Sequence, residues 1–275
     1  MQKNKIYIFI LLIAIGVSSC SEYQKVLNKG TVEKQYEMAT ELYESQKYNK
    51  AIQLFEKITP SYRGKPQMER IQYMIAQAHY NTKQYTLAAY YFDKFVKNYP
   101  KSSKIEEGAY LSAHSYYLAS PLFSLDQKDT YEAITAMQNF IFKYPNSPNI
   151  ADANKYVKEL TGKLEKKSFE IAKQYYHTKD YIAAIVAFDN LISDYLGTTF
   201  KEEALYFKFK SAYELAIKSY FTKKEERLND AVKMHERLKR SFSNSKYLEE
   251  TKELLTNVKE ELNSLTTLKT QTNGL

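Results

Sequence analysis

The chain has 275 residues, of which 44% are hydrophobic and 26% charged, with only 7 Gly and 6 Pro. So few turn formers, and no sustained alternation of apolar and polar residues, give no support to a sheet and predict an all-α protein. The net charge of +8 falls to +6 without Lys3 and Lys5, and basic clusters such as 163–167 and Lys223-Lys224 alternate with glutamates, so the charge describes solvated helix faces and gives no footing for a nucleic-acid partner.

In chain order the first element is a leader. Lys3 and Lys5 precede an apolar run from Ile6 to Val17, shorter than the roughly 20 residues a membrane-spanning helix needs, so residues 1–19 are expected to be a signal peptide. The segment Val17-Ser18-Ser19-Cys20 that follows resembles the lipobox of bacterial lipoproteins. That resemblance implies cleavage before Cys20, acylation of its sulfur and of its new amino group, and a lipidated linker over residues 20–30. Cys20 is the sole cysteine, so no internal disulfide can form. Ser21 is not the aspartate associated with inner-membrane retention, which makes the periplasmic face of the outer membrane the expected address.

From residue 31 the sequence repeats. Tyrosine pairs seven residues apart, Tyr36/Tyr43, Tyr73/Tyr80 and Tyr110/Tyr117, return every 37 residues, and seven residues are close to two helical turns, so both rings of a pair leave one helix face. Alanine pairs mark where two antiparallel helices approach closely: Ala39/Ala51, Ala76/Ala88 and Ala172/Ala184 at a spacing of twelve, and Ala113/Ala133 and Ala212/Ala231 at twenty and nineteen. The wider pairs predict longer turns. Four and seven positions after each second alanine stand Phe55/Ile58, Phe92/Phe95, Met137/Phe140, Phe188/Leu191 and His235/Leu238, the buried stripe of the second helix. Ser103 with Glu106 and Thr199 with Glu202 have capping-box spacing, and Ser147-Pro148 offers an N-cap followed by proline.

This frame resembles the tetratricopeptide repeat and predicts a solenoid of about five helix-turn-helix repeats, in which each unit completes its neighbour's core. A stripe of Leu248, Leu255, Val258, Leu262 and Leu265 predicts a C-terminal capping helix, followed by a disordered polar tail over 266–275. The expected division is repeats 1–3 over 31–147 and repeats 4–5 with the cap over 148–265.

The chain carries little that suggests catalysis. His79, His114, His177 and His235 fall in different repeats, and there is no HExxH, GxSxG, phosphate-binding glycine loop or Cys/His pair. A non-enzymatic binding protein with no metal and no cofactor is expected. In tetratricopeptide repeats the first helix lines the concave side, which implies a peptide groove built from Tyr36, Thr40, Tyr43, Arg70, Tyr73, Gln77, Tyr80, Tyr110, His114 and Tyr117, continued by Phe169 and Tyr176. Aromatic rings with hydroxyl tips can bury apolar side chains of an extended peptide and bond its backbone. Glu33, Arg70 and Glu107 are expected at its rim, with Arg70 placed for a carboxylate.

Taken together, the lipobox, the five repeats, and the segments Tyr48-Asn49-Lys50-Ala51-Ile52-Gln53-Leu54-Phe55, Tyr99-Pro100-Lys101-Ser102, Tyr144-Pro145-Asn146-Ser147-Pro148 and Asp180-Tyr181-Ile182-Ala183-Ala184 resemble the BamD family, tetratricopeptide-repeat lipoproteins of the outer-membrane β-barrel assembly machinery. The resemblance implies that repeats 1–3 bind targeting segments of unfolded outer-membrane proteins and that the later repeats hold the periplasmic domains of a BamA-like barrel insertase. The fourth repeat departs from the pattern, ending Tyr195-Leu196-Gly197 in place of Tyr-Pro, and the fifth has His235 where a large aromatic is expected. A periplasmic adaptor of peptidoglycan or envelope-constriction enzymes is the other reading, since other envelope lipoproteins use the same repeats.

Overall fold

A computed structural model describes residues 22–272, and Cys20 and the leader lie outside them. Among the described residues there are helices and no strand. α1 covers residues 22–29, and it is followed by α2 (Val32–Glu44), α3 (Tyr48–Tyr62), α4 (Gln67–Asn81), α5 (Tyr85–Asn98), α6 (Ile105–Ala119), α7 (Lys128–Lys143), α8 (Ile150–His177), α9 (Tyr181–Asp194), α10 (Lys201–Ile217), α11 (Phe221–Ser241) and α12 (Leu248–Thr272). Helices α2 to α11 form the five hairpins that the alanine spacing predicts, and all ten alanines are buried, at most 3% exposed. The residue four places after each second alanine is also buried, from Phe55 at 0% to His235 at 4%.

The tight turns have a shared geometry. Gln46, Lys83 and Lys179 sit at φ +60°, +60° and +66°, one residue after the C-cap of their helices. The next backbone N–H reaches back into the helix, Lys47 to Leu42, Gln84 to His79 and Asp180 to Tyr175, at 2.8 to 2.9 Å. This left-handed C-cap closes the last helical carbonyls, at a cost of about 1 kcal/mol where the residue is not glycine.

The turns between repeats share a second geometry, and it moves the expected helix caps. Ser102, Ser147, Thr198 and Ser245 each donate a backbone N–H to the carbonyl of the aromatic residue three places earlier, Tyr99, Tyr144, Tyr195 or Phe242. Their side-chain oxygens accept the N–H two residues on, from Lys104, Asn149, Phe200 and Tyr247. Ser102 and Thr198 therefore hold the positions expected for Ser103 and Thr199, and Pro148 lies in the turn, because α8 begins at Ile150. The departing Tyr195-Leu196-Gly197 segment closes the same way, with Gly197 at φ +88°.

The two wide hairpins differ from each other. Between α6 and α7 a long connection over residues 120–127 is present, as predicted. Between α10 and α11 only residues 218–220 intervene, and the extra length lengthens the helices instead. Phe209, Ala216 and Leu228 are fully buried there, so continued helix buries more apolar surface than a loop would.

The chain clusters into two compact units, divided inside α8. One runs to Pro121 and resumes from Gln127 to Lys158; the other takes Leu122–Asp126 and the described residues from Glu159 onward. In the first unit, α1 packs on the opening repeat. Tyr23 and Val26 are buried, the Tyr23 hydroxyl donates to Gln53 Oε1 at 2.7 Å, and the buried Gln35 amide donates to the Val26 and Leu27 carbonyls. The core of this unit continues through Phe55, Ile71, Phe92, Met137 and Phe140 to Ala153 at the start of α8. The second unit centres on Phe169, Phe188 and Phe209. There α12 closes the solenoid, with Thr251 and Val258 at 0% exposure and the Tyr206 hydroxyl and Lys210 ammonium both bonding Glu250. α12 runs on to Thr272, through seven residues expected to be disordered, and Lys269 pairs there with Glu225 of α11.

Candidate peptide-binding cleft in the first three repeats

The ladder residues lie on the first helices α2, α4 and α6, and the structure sorts them into two columns. Tyr36, Tyr73 and Tyr110 are half-buried against the second helix of their own repeat. Tyr36 meets Phe55 at 6.4 Å, Tyr73 meets Phe92 at 5.9 Å and Phe95 at 5.3 Å, and Tyr110 meets Phe140 at 5.4 Å. Tyr43 and Tyr80, near the ends of their helices, pack edge-on against the first residue of the next helix, Tyr48 at 5.6 Å and Tyr85 at 5.9 Å. Tyr176 repeats this contact with Tyr181 in the second unit, where Phe169 is core at 2% exposure. Tyr117, at the equivalent place before the long turn, stacks on Tyr156 of α8 at 4.2 Å.

Polar contacts tie the columns together. The Tyr73 hydroxyl faces the Glu107 carboxylate, which accepts from Lys104 at 2.7 Å. Tyr80 Oη and His114 Nδ1 lie 2.8 Å apart, and the His114 ring stacks between Tyr110, Tyr117 and Tyr156. Thr40 turns its hydroxyl back onto the Tyr36 carbonyl, and Gln77 donates to Asn81.

A cleft of about 410 Å³ opens beside these contacts, lined in part by Tyr43, Arg70, Tyr73, Met74, Phe95 and Lys104. Of the predicted groove residues it brings together Tyr43, Arg70 and Tyr73. The other seven do not line it; Tyr80, Tyr110, His114 and Tyr117 form a separate aromatic cluster over the third repeat. The floor is apolar and the rim carries both signs of charge. Arg70 reaches Glu44 at 3.7 Å with both side chains more than half exposed, a pair weak enough to be exchanged for another carboxylate.

Burial keeps the rings neutral. It pushes the Tyr43 phenol up to about 12, with Tyr48 and Glu107 adding and Arg70 opposing, and it raises Tyr73, assisted by Glu107. For Glu107 burial acts upward, but the Lys104 ammonium and the Tyr73 hydroxyl outweigh it and hold the carboxyl below its usual range. The cleft thus offers hydroxyl donors, two cations and apolar ring faces. No spacing in the sequence marks Lys104, Met74, Phe95 or Tyr156 as site residues: Lys104 precedes its helix, Phe95 belongs to the buried stripe of α5, and Tyr156 lies outside the 37-residue period.

A family described as YfiO, outer membrane lipoprotein, matches residues 28–228, most of the chain. The chain belongs to this family. The match begins within α1 and ends within α11, so α12 lies beyond it. A curated relative, the outer membrane protein assembly factor BamD of Buchnera aphidicola, is 31% identical over 85 residues, which is 31% of this chain and 35% of that protein. The matched segment thus spans about a third of that relative. Solved structures similar to the chain include a complex of the TPR2AB domain of yeast Sti1 with pHSP90, at 13% identity, 86% of this chain, 94% of that chain and a TM-score of 0.37. Another holds TPR-like repeats of kinesin-light-chain type from Podosopora anserina, at 13% identity, 84% and 95% coverage and a TM-score of 0.31. Among the described residues no helix is long and apolar enough to cross a membrane, and no group of three or more His, Cys, Asp or Glu is placed to hold a metal ion.

Proposed function

We propose that this family member is a non-catalytic scaffold of the machinery that assembles β-barrel proteins in the outer membrane, anchored through Cys20 at the periplasmic face. The observation that carries the binding half of the reading is the cleft of Tyr43, Arg70, Tyr73 and Lys104. It suits the end of an extended, unfolded barrel protein: an aromatic side chain enters against Tyr73, Met74 and Phe95, and a terminal carboxylate meets Arg70 or Lys104. The Tyr43 hydroxyl, neutral over the physiological range, donates to the peptide backbone. Later repeats hold the periplasmic domains of the barrel insertase, and the relative named as an assembly factor supports that context.

The test is a fluorescence titration of the protein with a synthetic barrel-protein C-terminal peptide, with its terminal carboxylate free or amidated. Arg70 is exposed, so Arg70→Ala leaves the fold intact. It should weaken the free-acid peptide about 10-fold, as for a charge-assisted hydrogen bond, and the amidated one far less. Equal affinities of wild type and Arg70→Ala for the free-acid peptide would overturn the cleft. Copurification of the insertase with the full chain from detergent-solubilised outer membranes tests the scaffold half.

A further inference from the structure

Every repeat turns one side of its first helix toward whatever precedes it, and that side is marked by the residues one before and three after the hairpin alanine. In the second repeat these are Ile75 and His79, 3% and 4% exposed, with Ile75 packed in one cluster with Leu54 and Ile58 of α3. In the third they are Ser112 and Tyr116, and both donate to Asp93 of α5. In the fifth, Ser211 is fully buried, and Lys208 one turn before it pairs with Asp189 of α9. In the first repeat α1 takes the covering place. Gln35 and Lys57 donate to its carbonyls from the positions that Lys208 and Arg237 hold against Asp189, four before the first alanine and six after the second.

The fourth repeat differs. Its equivalent residues are Ile171 and Tyr175 of α8, and they are 42% and 40% exposed. The length of α8 is the reason. α7 meets its opening turns, where Phe140 packs with Ala153, Tyr156 and Val157, and Ile171 lies about four helical turns beyond Val157. The strap of residues 122–126 reaches α8 at Lys166, whose ammonium lies 4.3 Å from the centre of the Phe123 ring, and at Lys167, which donates to the Leu125 carbonyl. Ile171 and Tyr175 follow about one and two turns beyond Lys167. An apolar position that a helix covers elsewhere in the solenoid is therefore open to solvent here.

We propose that this open face of the fourth repeat docks an α-helix of a partner protein, antiparallel to α8, which presents an apolar residue, a carboxylate four places on and a second apolar residue three further. The sister repeats fix that occupant. α5 covers the third repeat with Ala89, Asp93 and Val96, and α9 covers the fifth with Ile185, Asp189 and Ile192. α3 offers Ile52 and Glu56 at the same places, with Thr59 at the last. Each carboxylate is bonded by the repeat it covers: Glu56 by the Tyr91 hydroxyl at 3.0 Å, Asp93 by Ser112 at 2.6 Å and Tyr116 at 3.0 Å, Asp189 by Lys208 at 2.5 Å. α7, spent on the opening of α8, has Gln138 in that place. Tyr175 stands where Tyr116 stands in its own repeat, three residues after the alanine, and so offers an incoming carboxylate the same hydroxyl. Ile171 supplies apolar surface to be buried with it. The inference rests neither on the peptide cleft nor on which protein carries the helix.

Two synthetic helical peptides of about 16 residues test it on the mature full chain by fluorescence anisotropy. One carries isoleucine, aspartate and valine at i, i+4 and i+7; its twin has alanine for the aspartate. The first should bind about 10-fold more tightly, the worth of one charge-assisted hydrogen bond. Tyr175→Phe should reduce that ratio to about 2-fold or less, while Ile171→Glu should abolish binding of both peptides. Both residues are exposed, so melting curves of the two variants should match wild type. Arg70→Ala should leave the ratio unchanged. Failure of both peptides to bind, equal binding of the two, or a preference that survives Tyr175→Phe overturns the proposal. In outer membranes a photoreactive residue at the exposed Gln174 should crosslink to a partner helix of that pattern, mapped by mass spectrometry. Crosslinks only to lipid, to this chain itself in the same or a second copy, or to segments without the pattern, count against it.

Discussion

The Tyr80 hydroxyl and His114 Nδ1, 2.8 Å apart, join the first helix of the second repeat to the first helix of the third. Each belongs to the repeating tyrosine frame, and neither lines the cleft beside Arg70. Tyr80→Phe should therefore cost about 0.5 to 1.5 kcal/mol of folding stability, the worth of one part-buried hydrogen bond, and leave peptide affinity unchanged. Denaturant melts beside a peptide titration check both halves.

The first column of the ladder is structural as well as exposed. Tyr36→Ala, Tyr73→Ala and Tyr110→Ala should each cost about 2 to 4 kcal/mol, since each ring packs against a buried phenylalanine of its own repeat. Tyr73→Phe keeps the packing and loses only the hydroxyl that faces Glu107, so no more than about 1 kcal/mol is expected. An alanine series with melts indistinguishable from wild type would show that these rings contribute nothing to the core.

His235 stands where a large aromatic is expected, 4% exposed, with neither ring nitrogen hydrogen-bonded and Phe209 edge-on at 5.3 Å. Burial lowers its pKa from 6.5; Lys239 and Lys259 push the same way, and Glu236, at 3.9 Å, opposes them. Because the folded pKa lies below the unfolded one, the unfolded state takes up the proton first, so stability is complete above about pH 6.5 and falls as the pH drops below it. His79 and His114, also lowered chiefly by burial, contribute with the same sign. His235→Leu should stabilise the protein by about 1 to 2 kcal/mol by removing unsatisfied buried nitrogens, and should flatten the acid side of a plot of melting temperature against pH. An unchanged acid slope in this variant would contradict the assignment.

The closing helix should behave as core. Val258 is fully buried against α10 and α11, and Thr256, two residues earlier, is exposed. Val258→Asp should unfold the C-terminal end or abolish soluble expression, because it buries an unpaired charge. Thr256→Ala should stay within about 0.5 kcal/mol of wild type. Hydrogen exchange across α10 to α12 reads the difference directly.

For the membrane anchor, Cys20→Ala should leave a protein that no longer sediments with outer membranes, since stable attachment takes more than one acyl chain and the leader carries the only apolar run of that kind. Unchanged fractionation of that variant, after a salt wash that strips protein contacts, would reject lipidation at Cys20.

What was legible in the sequence is what local periodicity encodes. Helix pairing followed from alanines at fixed spacing and large apolar residues four and seven places on, because close approach of two helices admits only small side chains and the facing stripe must be apolar. All five hairpins and the capping stripe could be placed this way, as could the tyrosine face of each first helix. Tertiary contacts decided the rest. Ser102 rather than Ser103 serves the turn because the hydrogen bond to Tyr99 fixes which of two adjacent serines faces the next helix. The fifth repeat spends its extra residues on helix because α12 arrives to bury them. Tyr43 and Tyr73 line a cleft while Tyr80 and Tyr117 do not, although all four obey the same period. That distinction depends on what the next repeat presents, Glu107 and Lys104 at one site and His114 and Tyr156 at the other, and no spacing within one helix records its neighbour's side chains.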